Sequence, residues 1–169
     1  MCGICGKINT QGKTIPQELI LEMTNALSNR GPDDSGIYQT QHPISVSLGH
    51  RRLSIIDLSV AGKQPMSNED QTIWMVFNGE IYNHQTLRRS LQSQGHRFSS
   101  QTDSEVIIHA YEQDGIACLE QFNGMFAFAL WDSGKQTFYL CRDRAGIKPL
   151  VYAFDGQSLV FASEIRSIL

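Results

Sequence analysis

Met125-Phe126-Ala127-Phe128-Ala129-Leu130-Trp131 is apolar at every position, and the sequence on either side of it is polar. A strand with apolar side chains on both faces has to be covered above and below. Asp132-Ser133-Gly134 then marks a turn, and strand-length segments near 136–141, 150–154 and 158–162 follow at spacings typical of hairpins. The sequence therefore predicts a mainly antiparallel sheet that is buried on both faces.

The segments upstream complete a layered fold. Strands are predicted at 3–9, 35–40, 44–49 and 53–57, and over Ile73–Phe77, which runs into Asn78-Gly79, a dipeptide typical of tight turns. Helices are predicted after three capping signals, which are Thr14 with Gln17, Asn83, and Thr102 with Glu105. We therefore predict an α+β fold with four layers, αββα, in which two mainly antiparallel sheets pack face to face and helices cover them. No repeat or linker divides residues 1–169, so we expect one domain.

Composition excludes several classes of protein. Hydrophobic residues make up 41% and charged residues 18% of the chain, which is ordinary for a globular protein, and no apolar run is long enough to cross a membrane. The net charge of -3, without a Lys/Arg run, predicts neither nucleic acid nor anionic membrane as a partner. Four cysteines without a signal peptide favour a reducing cytoplasm. Cys2 and Cys5 lack a second ligand pair at zinc-site spacing, so we expect no metal.

Cys2 directly follows the initiator Met1. Removal of Met1 would leave a residue with both a thiol and a free α-amine, which titrates near pH ~7.7 to 8.0. A base with a pKa near neutrality can activate the sulfur, so nucleophile and base would belong to one residue, and none of the five histidines is needed as a base. A structural interpretation remains open, because free cysteine is commonly a buried apolar residue.

Four further segments combine with Cys2 into a recognisable set. They are Arg30-Gly31-Pro32-Asp33-Asp34-Ser35-Gly36, Gly49-His50-Arg51-Arg52-Leu53-Ser54-Ile55, Asn78-Gly79-Glu80-Ile81-Tyr82-Asn83-His84 and Thr102-Asp103-Ser104-Glu105. Together they resemble the glutaminase half of the asparagine synthetase family, among the class II, N-terminal-nucleophile glutamine amidotransferases. The resemblance covers essentially the whole chain, although Val151 stands where the family usually has tyrosine.

The resemblance implies hydrolysis of L-glutamine to L-glutamate and ammonia through a γ-glutamyl thioester on Cys2. Asn78 and the Gly79 N–H match the family's oxyanion hole, although Asn-Gly could instead simply turn a hairpin. Arg52 matches the ligand of the substrate carboxylate, and its neighbour Arg51 is expected to be solvated. The remaining substrate contacts implied are Asp103 and Glu80 at the α-ammonium and backbone carbonyls near Leu53 and Ile55. Asp103 could equally be a first-turn helix residue that interacts with the macrodipole.

The resemblance also implies partners that this sequence does not contain. Glutamine hydrolysis needs no cofactor, whereas ATP and Mg²⁺ would belong to a synthetase domain, whose pyrophosphate loop is not found in the sequence. We therefore expect a C-terminally truncated glutaminase domain, or a stand-alone subunit, that supplies ammonia to a synthetase domain in cis or in trans. Two alternatives are another amidase with an N-terminal cysteine and a catalytically silent module that binds glutamine or serves as a scaffold.

Overall fold

The computed structural model describes residues 1–41, 43–53 and 60–169, with Val60 described by its backbone alone. These residues form nine strands, β1 (Gly3–Asn9), β2 (Asp34–Thr40), β3 (Ser45–Arg52), β4 (Met66–Ser67), β5 (Ile73–Ile81), β6 (Gly124–Asp132), β7 (Thr137–Arg142), β8 (Val151–Phe154) and β9 (Ser158–Ala162). The same residues contain three α-helices, α1 (Gln17–Asn25), α2 (His84–Ser93) and α3 (Asp103–Asp114). Short 3-10 helices occupy Val60–Gly62, Gly115–Gln121 and Ile165–Ser167.

The strands form two antiparallel sheets. The first, sheet A, has five strands in the order β2-β3-β1-β9-β8, and the second, sheet B, has four in the order β4-β5-β6-β7. The N-terminal strand β1 therefore lies at the centre of sheet A, paired with β3 on one side and β9 on the other. In sheet B, β5 pairs with β6 along its whole length, from Ile73 opposite Asp132 to Ile81 opposite Gly124.

Strand β6 shows why the molecule has four layers. Its even-numbered residues Phe126, Phe128 and Leu130 pack with side chains of α2 and α3 in one buried cluster. Its odd-numbered residues Ala127, Ala129 and Trp131 pack in a second cluster with Ile4, Ile8, Val46, Leu48 and Phe161 of sheet A. Because successive side chains of a strand point to opposite faces, sheet B is covered by helices on one side and by sheet A on the other.

Helix α1 supplies the fourth layer. Ile20, Met23 and Leu27 pack against Cys5 and Ala162 on the outer face of sheet A. The order of layers is thus α1, sheet A, sheet B, then α2 with α3. This confirms the predicted α+β, αββα architecture and the prediction that residues 125–131 are buried on both faces.

Three local predictions were wrong. Thr14 does not cap α1, which begins after Pro16 without a side-chain capping bond. Asn83 stands at the N-cap of α2, but its side chain donates to the Gln121 carbonyl and accepts from the Asn123 N–H instead of capping the helix. Asn78 and Gly79 do not turn the chain, because β5 continues to Ile81 and is extended there by pairing with β6.

Other local predictions were right, and some cannot be checked. The Thr102 hydroxyl accepts from the Glu105 N–H at 3.3 Å and caps α3 as predicted. Most of the strand expected at 53–57, including Ile55, and the histidine at 42 lie outside the described residues. Among the described residues, no helix has both the length and the apolar character that a membrane span requires.

Candidate active site

One cavity collects nearly all of the residues that the sequence motifs single out. Cys2, Arg52, Leu53, Asn78, Gly79, Glu80 and Asp103 all line it, and its volume is about 200 Å³. Cys2 lies just before β1, and Arg52 and Leu53 lie at the end of β3. The others belong to the last third of β5 and the first turn of α3. Ile55, the remaining predicted substrate contact, lies outside the described residues.

Backbone contacts fix the position of Cys2. Its carbonyl oxygen accepts a hydrogen bond from Arg30 Nε at 2.9 Å, and Arg30 Nη1 in turn pairs with Glu164 at 3.0 Å. The Leu53 N–H donates to Cys2 Sγ at 3.4 Å, while the Leu53 carbonyl lies 3.8 Å from the same sulfur. The thiol is therefore held against the backbone that follows β3, and Cys2 lines the cavity.

Burial controls the ionisation of this thiol. It raises the pKa of Cys2 above the ordinary 9.0, although the Leu53 N–H, the N-terminal ammonium and Arg52 act in the opposite direction. With such a pKa, fewer than about one thiol in a hundred is ionised at pH 7. The sulfur therefore needs a nearby base before it can act as a nucleophile.

Met1 is exposed and also takes part in the cavity wall. Its side chain is 58% exposed, and Cys2 behind it is small. The Met1 sulfur accepts from Lys148 Nζ at 3.5 Å, and both residues line the cavity. Loss of Met1 would open the cavity further, free the Lys148 ammonium, and place an α-amine on the same residue as the thiol.

Asn78 presents an unused donor to the cavity. The residue is 1% exposed, and its Nδ2 has no hydrogen-bond partner among the described residues. An unpaired buried amide is costly, so such groups are rare in folded proteins and often have a functional reason. A ligand oxygen in the cavity would satisfy this donor.

The Gly79 N–H, next along β5, points away from the neighbouring strand β6. Gly79 lies opposite Phe126, whose own N–H and carbonyl are both bonded to Asp143 on the far side of β6. In an antiparallel pair this alternation directs the Gly79 N–H away from β6. On either side of it along β5, the Phe77 N–H is taken by Gln64 and the Ile81 N–H by Asp103. Gly79 thus offers a backbone donor between two that are occupied.

Gly79 is required by the packing of the sheet. A Cβ at this position would lie 2.4 Å from the Met125 carbonyl oxygen and 2.7 Å from Phe126 Cα. The missing side chain of Gly79 thus makes room for β6.

Arg52 is buried at the end of β3, and a glycine makes room for its charged group. The residue is 7% exposed. A Cβ added to Gly62 would lie 2.3 Å from Arg52 Nη2 and 3.0 Å from a methyl carbon of Thr102. The guanidinium therefore packs directly on the Gly62 backbone, beside the N-cap of α3.

Asp103 is both a first-turn residue of α3 and a wall of the cavity. One carboxylate oxygen accepts from the Ile81 N–H at 2.8 Å, which ties α3 to the end of β5. Burial raises its pKa, and the negative charge of Glu80 adds to this, while the Ile81 N–H and His84 act against it. The structure therefore fits Asp103 both as a first-turn residue of α3 and as a contact for the α-ammonium of a substrate, because a buried carboxylate attracts a cation. Glu80, the other carboxylate at the cavity, is exposed.

Other polar residues of the motifs are structural. Arg51 is not simply solvated, since its guanidinium donates to the Thr24 carbonyl at 3.2 Å and to Asn25 at 2.7 Å, both at the end of α1. His50 is buried between the sheets, where its Nε2 contacts the Phe77 carbonyl at 3.2 Å. Burial lowers the pKa of His50 to about 4, so it is neutral near pH 7 and donates this bond. The loop after β7 is organised by Asp143, whose carboxylate accepts three backbone N–H groups.

Four residues at the site were not predicted from sequence. Arg30 belongs to one of the quoted motifs and Lys148 to none, and no pattern connected either residue with Cys2. Gly62 and Gln64 lie outside every motif, and only the folded chain places them beside Arg52 and Phe77. No local signal could have found the last two, since their roles depend on contacts with distant strands.

Comparison with known proteins extends the match to the whole chain. A family model described as a glutamine amidotransferase domain matches residues 1–169. Asparagine synthetase (glutamine-hydrolyzing) 2 of Bacillus subtilis is 44% identical over 171 residues, which are 99% of this chain and 22% of that protein. Asparagine synthetase B (glutamine-hydrolyzing) of Escherichia coli is 39% identical over 171 residues, 100% of this chain and 30% of that protein. The chain thus spans less than a third of the length of these two curated relatives.

A solved structure shares the fold. The chain superposes on the glutamine phosphoribosylpyrophosphate amidotransferase of B. subtilis with a TM-score of 0.80, covering 99% of this chain and 43% of that one. The sequences are 20% identical, so this likeness concerns the fold alone.

Proposed function

The chain belongs to the glutamine amidotransferase domain family, and from this premise we propose that its cavity hydrolyses L-glutamine to L-glutamate and ammonia with Cys2 as nucleophile. One observation carries the assignment of residues. The Cys2 thiol shares its cavity with a buried carboxamide, a buried guanidinium and a buried carboxylate, which belong to Asn78, Arg52 and Asp103. The Asn78 carboxamide nitrogen has no hydrogen-bond partner in the described part of the chain. These four groups complement the reacting carbonyl, the α-carboxylate and the α-ammonium of one amino acid.

The first half of the reaction forms a thioester. After Met1 is removed, the Cys2 amine takes the thiol proton, and the thiolate attacks the side-chain carbonyl carbon of glutamine. The resulting oxyanion receives hydrogen bonds from Asn78 Nδ2 and the Gly79 N–H, two donors fixed before the charge develops. When the carbon–nitrogen bond breaks, the ammonium of Cys2 returns its proton to the leaving group, and ammonia departs.

Water completes the cycle. The Cys2 amine, neutral again, takes a proton from water as the water oxygen attacks the thioester carbon. The same two donors stabilise the second oxyanion, the carbon–sulfur bond breaks, and the proton returns to sulfur. Glutamate leaves, and the enzyme is unchanged.

The two charged ends of the substrate fix its orientation. Arg52 binds the α-carboxylate through its planar fork, and Asp103, with Glu80 as a second contact, binds the α-ammonium. Backbone carbonyls near Leu53 and Ile55 complete this end of the substrate. Asparagine is one methylene shorter, so the same anchoring holds its carbonyl away from sulfur, which adds to the ~1 to 3 kcal/mol that a methylene contributes through binding.

We further propose that the ammonia serves an ATP-dependent amidation of aspartate. The relatives are glutamine-hydrolyzing asparagine synthetases several times longer than this chain, so a synthetase domain would act on the product in cis or in trans. The hydrolytic half needs no cofactor, and ATP with Mg²⁺ belongs to that other domain. All four cysteines are free, which supports a cytoplasmic location.

Two measurements on one preparation test the hydrolytic function. Intact mass shows whether Met1 has been removed, and a glutamate-release assay with L-glutamine shows turnover. We expect Cys2 to be terminal, glutamate to be released, and Cys2→Ala to lose turnover while its circular dichroism spectrum is retained. Protein with terminal Cys2 that binds glutamine without releasing glutamate would instead be the silent binding or scaffolding module.

A further inference from the structure

A second cluster of reactive side chains lies at the other end of α3, away from the cavity. His96 stands in the connection after α2, and His109 and Glu112 lie one turn apart on α3. None of them lines the active-site cavity, and none belongs to the residues proposed to act on glutamine.

The three side chains direct one ligand atom each to a common point. Glu112 Oε2 lies 2.8 Å from His109 Nδ1 and 3.5 Å from His96 Nδ1. All three candidate ligand atoms lie within 4.8 Å of one another. Ligand atoms around a tetrahedral Zn²⁺ with bonds of about 2.0 to 2.2 Å lie roughly 3.3 Å apart, so sub-ångström to ångström shifts suffice to surround an ion.

The second polar atom of each side chain faces a polar partner. His96 Nε2 lies 3.2 Å from Gln113 Oε1, and His109 Nε2 lies 3.8 Å from the buried carboxylate of Glu105. Glu112 Oε1 accepts from Asn68 Nδ2 at 2.9 Å. Metal-binding histidines commonly give their other N–H to a carbonyl or carboxylate oxygen, which fixes the tautomer and the ring orientation. The cluster therefore has both an inner set of ligand atoms and the outer partners that orient them.

We propose that His96, His109 and Glu112 bind one divalent first-row transition-metal ion, with Zn²⁺ as the preferred occupant. Two imidazoles and one carboxylate are a ligand set suited to Zn²⁺, and a water molecule completes the tetrahedron. Ion pairs of the two imidazoles with Glu112 would place the same atoms close together without a metal, so Zn²⁺ binding itself distinguishes the two arrangements. The side chains of His96 and Glu112 are 16% and 22% exposed, which leaves a path for the ion and the water.

The site joins residues that come from three different segments of the chain. His96 follows α2, whereas His109 and Glu112 belong to α3, and Asn68 behind Glu112 comes from the segment after β4. A bound ion would therefore cross-link these segments and raise the temperature of unfolding. The sequence predicted no metal, because its pairs of cysteines and histidines lack zinc-finger spacing, and this ligand set is assembled from separate elements.

The test is Zn²⁺ binding by the 169-residue chain in a Cys2→Ala background, which removes the accessible thiol as a competing ligand. Metal-free protein is titrated with zinc sulfate by calorimetry, and Co²⁺ substitution is followed by visible ligand-field absorption. We expect one equivalent to bind, a tetrahedral Co²⁺ spectrum, and an increase in the unfolding temperature. Either no binding or only sub-stoichiometric binding would overturn the proposal.

Substitutions then assign the ligands without disturbing the core. His96→Ala and Glu112→Gln change partly exposed side chains, and each is expected to weaken Zn²⁺ binding by at least ~10- to 100-fold. His84→Ala and Glu22→Gln change a histidine and a glutamate outside the cluster and should bind Zn²⁺ as the parent does. Equal affinities in all four variants would place the ion elsewhere and refute the assignment. Circular dichroism of each variant confirms that the fold is retained.

Discussion

Two pairs of cavity residues are held in place by different kinds of structure. The strand-borne pair, Asn78 and Gly79, lies inside β5, where continuous pairing with β6 fixes the backbone. The charged pair, Arg52 and Asp103, consists of the last residue of β3 and the first residue of α3, and their charged groups rest on Gly62 and on the Ile81 N–H. We propose that this difference reflects a division of roles, in which the strand-borne pair serves the reaction and the charged pair serves binding.

The sharpest test of this division removes the side-chain donor of the strand-borne pair. We expect Asn78→Ala to lower kcat about 10²- to 10³-fold with little change in KM, because the amide meets an oxyanion that exists only during the reaction. Steady-state glutamate release measures both constants. Asn123→Ala is the matched control, since Asn123 is exposed and outside the cavity. A loss that appears entirely in KM would show that Asn78 binds the ground state and would remove the distinction between the pairs.

The next test changes the charged pair without changing its charge. Arg52→Lys keeps a cation but loses the planar fork. We expect KM for glutamine to rise roughly 10- to 100-fold, because ~1.5 to 3 kcal/mol of charge-assisted hydrogen bonding is lost. The effect on kcat should be smaller. Arg51→Lys offers a close control, because Arg51 contacts α1 and not the cavity. It should leave KM unchanged and cost at most about 1 kcal/mol of stability. Similar kinetic effects of the two substitutions would argue against Arg52 as a ligand.

A third test moves the guanidinium instead of replacing it. The added methyl of Gly62→Ala overlaps Arg52 Nη2, so we expect KM to rise up to about tenfold, or roughly 1.4 kcal/mol, while kcat stays nearly constant. In an Arg52→Lys background the same change should have less effect, since two substitutions that act on one contact are not additive. Gly134→Ala is the control, because its methyl would have an ordinary 3.4 Å contact with Asp132. Full additivity would mean that Gly62 acts on something other than Arg52.

The contrast between the two pairs also explains which features the sequence could predict. The unbroken apolar run of residues 125–131 predicted two covered faces, because successive side chains of a strand point to opposite faces. The cavity residues were found through motif resemblance, and the structure brings all of the described ones together. Their placement in strand or turn was harder to predict, since Asn-Gly favours a turn locally and only pairing with β6 holds it extended.

Residues that act through distant contacts escaped prediction for a related reason. Arg30 reaches the Cys2 carbonyl across 28 positions of sequence, and Gln64 reaches the Phe77 N–H across 13. Gly62 matters through a neighbour that belongs to another element. No periodicity or capping pattern encodes such contacts, because they arise when the sheets and helices pack together.

The smallest effect expected is on stability, and it concerns Asp103. Burial raises the pKa of its carboxyl, so the folded protein holds this proton more tightly than the unfolded chain does. Ionisation therefore lowers stability as pH rises from the ordinary value of 3.8 through the raised pKa, and the loss is complete above it. Asp103→Asn removes the charge, keeps an oxygen for the Ile81 N–H, and should leave the protein at least as stable as the parent at pH 7. Urea unfolding at several pH values should show the difference fading in acid.

Asp70, whose pKa is lowered instead of raised, provides the control for this comparison. Hydrogen bonds from Thr72 lower the pKa of exposed Asp70, so its contribution to stability is present above pH 3.8 and is lost as pH falls through the lowered pKa. Asp70→Asn should consequently destabilise the protein at pH 7, whereas Asp103→Asn should not. Added glutamine should raise the stability of the parent more than that of Asp103→Asn, because the glutamine ammonium compensates the charge of the Asp103 carboxylate. If both substitutions were destabilising and glutamine protected both variants equally, Asp103 would be a structural helix residue rather than half of the charged pair.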